Sequence, residues 1–344
     1  MAVRAALIGC GGRGINAHGA WMRQSPQFDL VAVCDLDKAR RSAASDRLQV
    51  PGLADYRDIL NRRDIQAVII ATNARSHAPI ALDAIQAGKH VLIEKPLADT
   101  AAAAYALTAA AERAAVIGMV GYQFRLSDFA TAFKAAVTAI EPLQGLFTVQ
   151  RGPMAPQYFF AEHYGGVVDT ATHTIHLALW TFADQPASVY AHVGRGLLRN
   201  DQTIDRFELL IEFADGRSVT VVSSMFGVQA ENTLQVIGRS GSVVTHDRKT
   251  LRIVQHPALT EPGPVRRLEG LTIQQVETAG EGDATGAMLD HFAALILGDV
   301  EQQRGTTLRE GALAIAVTEA MVQAASLGRK VALESVLPPG SLHR

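Results

Sequence analysis

Short apolar runs alternate with segments of helical periodicity over the first third of the chain. "VRAALIG" (3–9), "FDLVAVCD" (28–35), "IQAVIIAT" (65–72), "HVLIEK" (90–95) and "AVIGMVG" (115–121) read as buried strands. Between them, "INAHGAWMRQ" (15–24), the polar stretch 37–48, "HAPIALDAIQAG" (77–88) and the alanine-rich 99–114 read as helices. Such alternation builds a parallel sheet flanked by helices. From about Gly145 the pattern changes to longer, alternating strands: "GLFTVQRG", "ASVYAHVGR", "TIDRFELLIEFADGRSVTVVSSM" and "ENTLQVIGRSGSVVTH". Asp215-Gly216 and "GRSGSV" (238–243) are hairpin signals. Two helices near 284–298 and 307–328 close the chain. The pattern therefore predicts an α/β doubly wound domain over 1–121, then an α+β domain over 122–344 built on a large, mainly antiparallel open sheet.

Composition narrows the class. At 344 residues the chain exceeds one compact core, and 48% hydrophobic against 19% charged residues is a globular balance. A net charge of −2 offers no basic field for nucleic acid or an anionic membrane. No apolar run reaches the roughly 18 residues of a membrane span, and the N-terminus enters a strand without a signal-peptide layout. Cys10 and Cys34 both sit at strand ends, a placement that suits free thiols in a reducing compartment. A cytoplasmic location is the expectation.

Gly9-x-Gly11-x-x-Gly14 directly follows the first strand and opens a helix, and Asp35 ends the second strand. Glycines there let the backbone approach a pyrophosphate, the helix N-terminus favours its charge, and the aspartate can hold both ribose hydroxyls. A carboxylate at that tip repels a 2′-phosphate, which favours NAD over NADP. Lys38, Arg40 and Arg41 follow closely and read as solvated helix charges.

In such a sheet, ligands bind beyond the carboxyl ends of the strands, where "ATNARSH" and "EKP" fall. Only six lysines stand against 26 arginines, so Lys95 at that rim is a candidate general acid/base on a hydroxyl. The plain alternative is a strand-end ion pair of Glu94 with Lys95. Farther on, Asp169, His173, His176 and Trp180 recur at one helical face, and an aspartate one turn before a histidine can orient its ring. Equally, these could be buried polar groups packing a domain interface. No cysteine or further acid completes a metal signature around them, and no metal is expected.

Together, "GCGGRG", "CD" (34–35), "ATNARSH", "AGKHVLIEKPLA" and "GGVVDTATHTIH" resemble the glucose–fructose oxidoreductase/inositol dehydrogenase/rhizopine catabolism (Gfo/Idh/MocA) family over essentially the whole chain. "GYQFR" (121–125), "LQVIGRSGSV" and "ASLGRKV" extend the likeness. The resemblance implies a two-domain nicotinamide-dependent oxidoreductase of sugars, cyclitols and related alcohols, working as a homodimer or homotetramer. It implies Lys95 as acid/base with a cis bond to Pro96, His173 bonding the reacting hydroxyl, and Asp169 positioning substrate. The implied cofactor contacts are Gly9, Gly11, Gly12, Arg13, Gly14, Asp35, Thr72, Asn73, His77, Glu94, Lys95, Pro96 and Gln123. The implied substrate contacts are Lys95, Tyr122, Arg125, Arg151, Tyr158, Asp169, His173 and His176, with His163 nearby. Two positions depart from the family pattern: Asn73 replaces the usual proline, and His176 stands where an aspartate commonly follows the catalytic histidine.

Two further readings compete with a dehydrogenase. One keeps NAD tightly held for transient oxidation in glycoside cleavage or epimerisation; the other is a non-catalytic nucleotide sensor. A sensor has no need for Lys95, Asp169 and His173 together.

Overall fold

The computed structural model describes residues 1–152, 166–183, 185–195, 204–227, 231–256 and 270–339, with the side chains of 166–170 outside the description. The chain forms two compact units. The first comprises Met1–Leu126, Asp283–Ile315 and Pro338–Arg344; the second comprises Ser127–Gly282 and Ala316–Leu337. This differs from the contiguous division at 121/122, because the first unit reclaims a distant segment.

In the first unit, β1 (Val3–Ile8), β2 (Phe28–Cys34), β3 (Gly52–Leu53), β4 (Ala67–Ile70), β5 (His90–Ile93) and β6 (Gly118–Val120) form the parallel sheet that the pattern predicts. Their order is β6-β5-β4-β1-β2-β3, so the winding reverses between β1 and β4. Ligand crevices open at that switch point. Helices α1 (Ala20–Gln24), α2 (Lys38–Leu48), α3 (Tyr56–Leu60), α4 (Ala74–Gln86) and α5 (Ala101–Ala114) connect the strands. Every residue of β4 is buried, which is why it reads as an unbroken apolar run. Leu7, Val33, Ile69, Leu92 and Met119 form the centre of the core.

The second unit begins with α6 (Asp128–Ala139) and β7 (Pro142–Gln150), followed by α7 (Gly166–Phe182). Then come β8 (Pro186–Arg195), β9 (Ile204–Phe213), β10 (Ser218–Ser224), β11 (Glu231–Gly238), β12 (Gly241–Thr245), β13 (Thr250–Gln255) and β14 (Thr272–Glu277). After α8 (Ala284–Leu297), β15 (Thr306–Thr307) and α9 (Leu308–Leu327), the chain adds β16 (Val331–Ala332). Among the described residues the large sheet has nine strands in the order β14-β13-β12-β11-β7-β10-β9-β8-β16, antiparallel except at β7/β10. Gly216 takes φ 87° in the β9–β10 hairpin, a left-handed conformation that favours glycine. Alternate residues such as Phe147, Val149, Leu209, Ile211, Val219 and Val221 are buried, and α6 and α7 lie on the sheet.

β15 pairs antiparallel with β6 and extends the first sheet. Met288, Leu289 and Phe292 of α8 join the same core as β1 and β2. Trp21 Nε1 donates to Asp290 Oδ1 at 2.9 Å, and a Cβ on Gly286 would meet the Trp21 ring at 2.6 Å. Glycine is what allows α8 to lie that close.

Candidate active site

The glycines after β1 have separate physical jobs. Gly9 has φ 103°, and a Cβ there would lie 2.5 Å from the Ala71 carbonyl carbon and oxygen. A Cβ on Gly14 would lie 2.1 Å from the Gly9 carbonyl oxygen. Both positions close the turn between strands and helix. A Cβ on Gly11, by contrast, would meet nothing within 4 Å, and one on Gly12 would meet Asn16 Nδ2 at 3.9 Å. The middle of the loop thus leaves open space against backbone at the helix entry. A pyrophosphate fits that cradle.

Asp35 borders the same loop. Its Oδ2 accepts from the Cys10 N–H at 2.8 Å, and its Oδ1 accepts from the Asp37 N–H at 2.9 Å. Each carboxylate oxygen retains accepting capacity for a ribose hydroxyl. Arg41 is not a solvated helix charge alone: its Nη1 donates to the Asp35 carbonyl at 2.7 Å and so braces the strand end. Lys38 and Arg40 are exposed. Cys10 and Cys34 are both free thiols. Burial, then the Asp35 charge, pushes the Cys10 thiol up to about 12 and the Cys34 thiol up to about 11.

Glu94 is not the solvated partner of Lys95. Its side chain is 8% exposed, and Oε1 accepts from Arg13 Nε and pairs with His18 Nε2, each at 2.7 Å. Its Oε2 accepts from the Lys95 backbone N–H at 3.1 Å. Burial pushes the carboxyl pKa up, but the His18 hydrogen bond and charge, then Arg13, outweigh it and hold the group well below the usual carboxylate range. Gly121 makes room, since a Cβ there would sit 3.1 Å from Glu94 Cα and Oε2. Sequence reasoning missed His18, which is fully buried on a π-helical turn, Gly14–Gly19. No periodicity announces a π turn; the wide turn is a tertiary adjustment of a kind frequent at functional sites.

Lys95 follows β5 at the carboxyl edge, partly buried, and its peptide bond to Pro96 is cis. The Pro96 carbonyl lies 2.8 Å from His77 Nδ1, and the Thr72 carbonyl lies 3.2 Å from His77 Nε2, so His77 ties the two strand-end loops together. Asn73 caps α4: its Oδ1 accepts from the Ser76 N–H at 3.1 Å. That explains the asparagine in place of proline, since a side-chain acceptor satisfies an otherwise orphaned helix donor. Gln123 begins a 3₁₀ turn, and its Oε1 is buried without a partner among the described residues.

Tyr122 is 2% exposed, within the core rather than at an open surface. Arg125 Nη1 donates to Glu310 Oε1 at 2.5 Å. In the second unit, Asp169, His173, His176 and Trp180 lie on the single helix α7, as the spacing predicts. His173 is partly buried, His176 is 4% exposed, and the Asp169 side chain lies outside the description. Tyr158 and His163 also fall outside the described residues. Arg151 continues β7, donating its N–H to the Ser224 carbonyl and accepting from the Gly227 N–H, both at 2.9 Å.

A doubly wound unit with an open glycine cradle and a capping carboxylate defines a dinucleotide-binding protein. Residues 3–122 match the oxidoreductase family with an NAD-binding Rossmann fold (GFO_IDH_MocA), and residues 139–244 match the GFO/IDH/MocA C-terminal domain. The chain belongs to the Gfo/Idh/MocA family. It is 26% identical to inositol 2-dehydrogenase 2 of Saccharopolyspora erythraea over 98% of both chains. With an inositol 2-dehydrogenase of Salmonella typhimurium it shares 36% identity over 104 residues, 30% of this chain and 31% of that protein. Levoglucosan dehydrogenase in complex with NADH has the same fold, with a TM-score of 0.81 at 22% identity over 97% of this chain and 99% of that one.

Proposed function

We propose that this protein interconverts a secondary alcohol and a ketone on a sugar, cyclitol or related polyol, using NAD(H). The observation that carries the reading is the placement of Lys95 at the carboxyl edge of the strand whose Glu94 is tied to the helix of the glycine loop. The kinship with inositol 2-dehydrogenases supports the substrate class.

Gly11 and Gly12 would receive the pyrophosphate, and Asp35 the adenosine ribose, which selects NAD over NADP because a 2′-phosphate would face a carboxylate. Bound there, the nicotinamide supplies the hydride acceptor or donor. The chain's own residues handle the proton. Lys95 acts as general acid/base on the reacting hydroxyl, His173 bonds that hydroxyl and passes its proton, and Asp169 orients the imidazole. His176 can donate as well as accept, so it suits a substrate polar pattern other than that served by an aspartate. Self-association as a homodimer or homotetramer belongs to the same reading.

The test is NADH formation across a panel of cyclitols, aldoses, ketoses and glycosides. Lys95→Ala is expected to lower kcat by roughly 100-fold or more at saturating NAD. Undiminished turnover in that variant overturns the mechanism.

A further inference from the structure

The sheet fixes β5 only as far as Glu94. On one side the Glu94 N–H donates to the Ile70 carbonyl; on the other the Val91 N–H donates to Ile117, and the Gly121 N–H donates to Ile93. The Lys95 N–H goes instead to a side chain, Glu94 Oε2, at 3.1 Å. The next carbonyl, that of Pro96, faces His77 Nδ1 at 2.8 Å. Side chains thus take over from strands at this point, and where Lys95 stands depends on where the Glu94 carboxylate stands.

That carboxylate has two holders of different character. Arg13 Nε donates to Oε1 at 2.7 Å from the glycine loop, and its side chain is 40% exposed. His18 Nε2 meets the same oxygen at 2.7 Å, and its side chain has no exposure. An ionised carboxylate only accepts, so the ring carries a proton on Nε2 and donates it. His18 Nδ1 is buried without a partner among the described residues, which leaves the bond to Glu94 as the polar work of this imidazole. Sealing a ring nitrogen from water is costly, and an apolar side chain would fill the same space without that cost. The wide π turn over Gly14–Gly19 is a second uncommon choice at the same place, and such turns are frequent at functional sites. Both serve one oxygen.

The two holders answer differently to a bound dinucleotide. An anion in the glycine cradle competes with Glu94 for the guanidinium of Arg13, which is partly in solvent and follows Gly12 in the chain. His18 is sealed in the core and keeps its bond to Oε1 while Arg13 turns. A planar carboxylate held at one oxygen presents the other in a fixed direction, here toward the Lys95 N–H.

We propose that His18 is a positioning residue for Lys95: through Glu94 it holds the acid/base at the carboxyl edge of β5 when Arg13 turns to the cofactor. The role rests on the reading of Lys95 as the proton-transfer group, but the hold on Lys95 can be measured without the reaction.

The experiment compares wild type with His18→Met, which fills the space without a donor, and His18→Gln, which restores one. NAD binding is titrated by fluorescence, and kcat and KM are measured on the best alcohol of the panel. Labelling of Lys95 by trinitrobenzenesulfonate is followed by peptide mass in NAD-saturated protein, where six lysines in the whole chain keep the reading simple. His18→Met is expected to lower kcat roughly 10- to 100-fold, with NAD affinity within about twofold of wild type. Its Lys95 should label faster, and His18→Gln should recover most of both effects. Arg13→Gln should act in the other sense and weaken NAD binding roughly 10-fold. Unchanged Lys95 labelling in His18→Met overturns the proposal, and so does unchanged kcat where Lys95→Ala is impaired. A loss that is wholly weaker NAD binding overturns it as well. So does His18→Gln behaving as His18→Met while both melt as wild type does, the mark of a merely structural ring. Altered labelling in a series where Lys95→Ala keeps full turnover upholds the hold on Lys95 and sinks the dehydrogenase mechanism instead. If circular dichroism shows His18→Met unfolded, His18→Asn, whose shorter amide stops short of Glu94, takes its place beside His18→Gln.

Discussion

Glu94 shows how a charged residue is kept at a buried strand end. Its carboxylate is held by Arg13, by His18 and by the Lys95 backbone N–H. Glu94→Leu leaves the buried His18 ring and the Lys95 N–H without their acceptor, so it is expected to cost about 1–3 kcal/mol of stability, read by denaturant unfolding. The pH dependence follows from the depressed pKa of Glu94. A carboxyl whose folded value lies below its unfolded value stabilises the fold above the unfolded value of 4.5 and loses that contribution as pH falls toward the folded one. The melting temperature of wild type should therefore drop below about pH 5 more steeply than that of Glu94→Gln. The thiols behave in the opposite sense. With folded values raised to about 12 and 11, Cys10 and Cys34 stay protonated in the fold. Near pH 8 a thiol reagent is expected to label both only after denaturation.

At the scale of an element, the glycine loop separates folding from binding. Gly9→Ala would force a Cβ against the Ala71 backbone at φ 103°, so it should destabilise the protein by roughly 1–3 kcal/mol in thermal unfolding. Gly11→Ala meets nothing in the fold and should melt as wild type does, yet weaken NAD in a binding titration by filling the cradle. Equal effects of the two changes on stability would contradict this division of roles. Gly9-x-Gly11-x-x-Gly14 is legible in the sequence because each glycine answers a local demand. The π turn that follows it is not, since His18 reaches Glu94 through a contact across 76 residues of chain. Asn73 is legible as a departure from a family pattern, but its work as a helix cap shows only in the bond to Ser76.

For the molecule as a whole, the first unit needs residues far along the chain. Met288 and Phe292 of α8 fill the core built by β1 and β2, and β15 adds a strand beside β6. A fragment ending at Leu126 is expected to be poorly soluble and to melt without cooperativity, whereas joining it to 283–315 through a flexible linker should restore a cooperative transition in calorimetry. A cooperative transition in the short fragment would show that α8 is dispensable. Hydrophobic period and turn chemistry predict the strands, the helices and the two sheet types, because those depend on neighbours within a few residues. They likewise mark Gly9, Asp35, Lys95 and the α7 face as the places for chemistry. Which residues share a core or pair a buried charge was decided by the tertiary structure alone. Glu94 with His18, and α8 in the core of the first sheet, join positions that no local pattern relates.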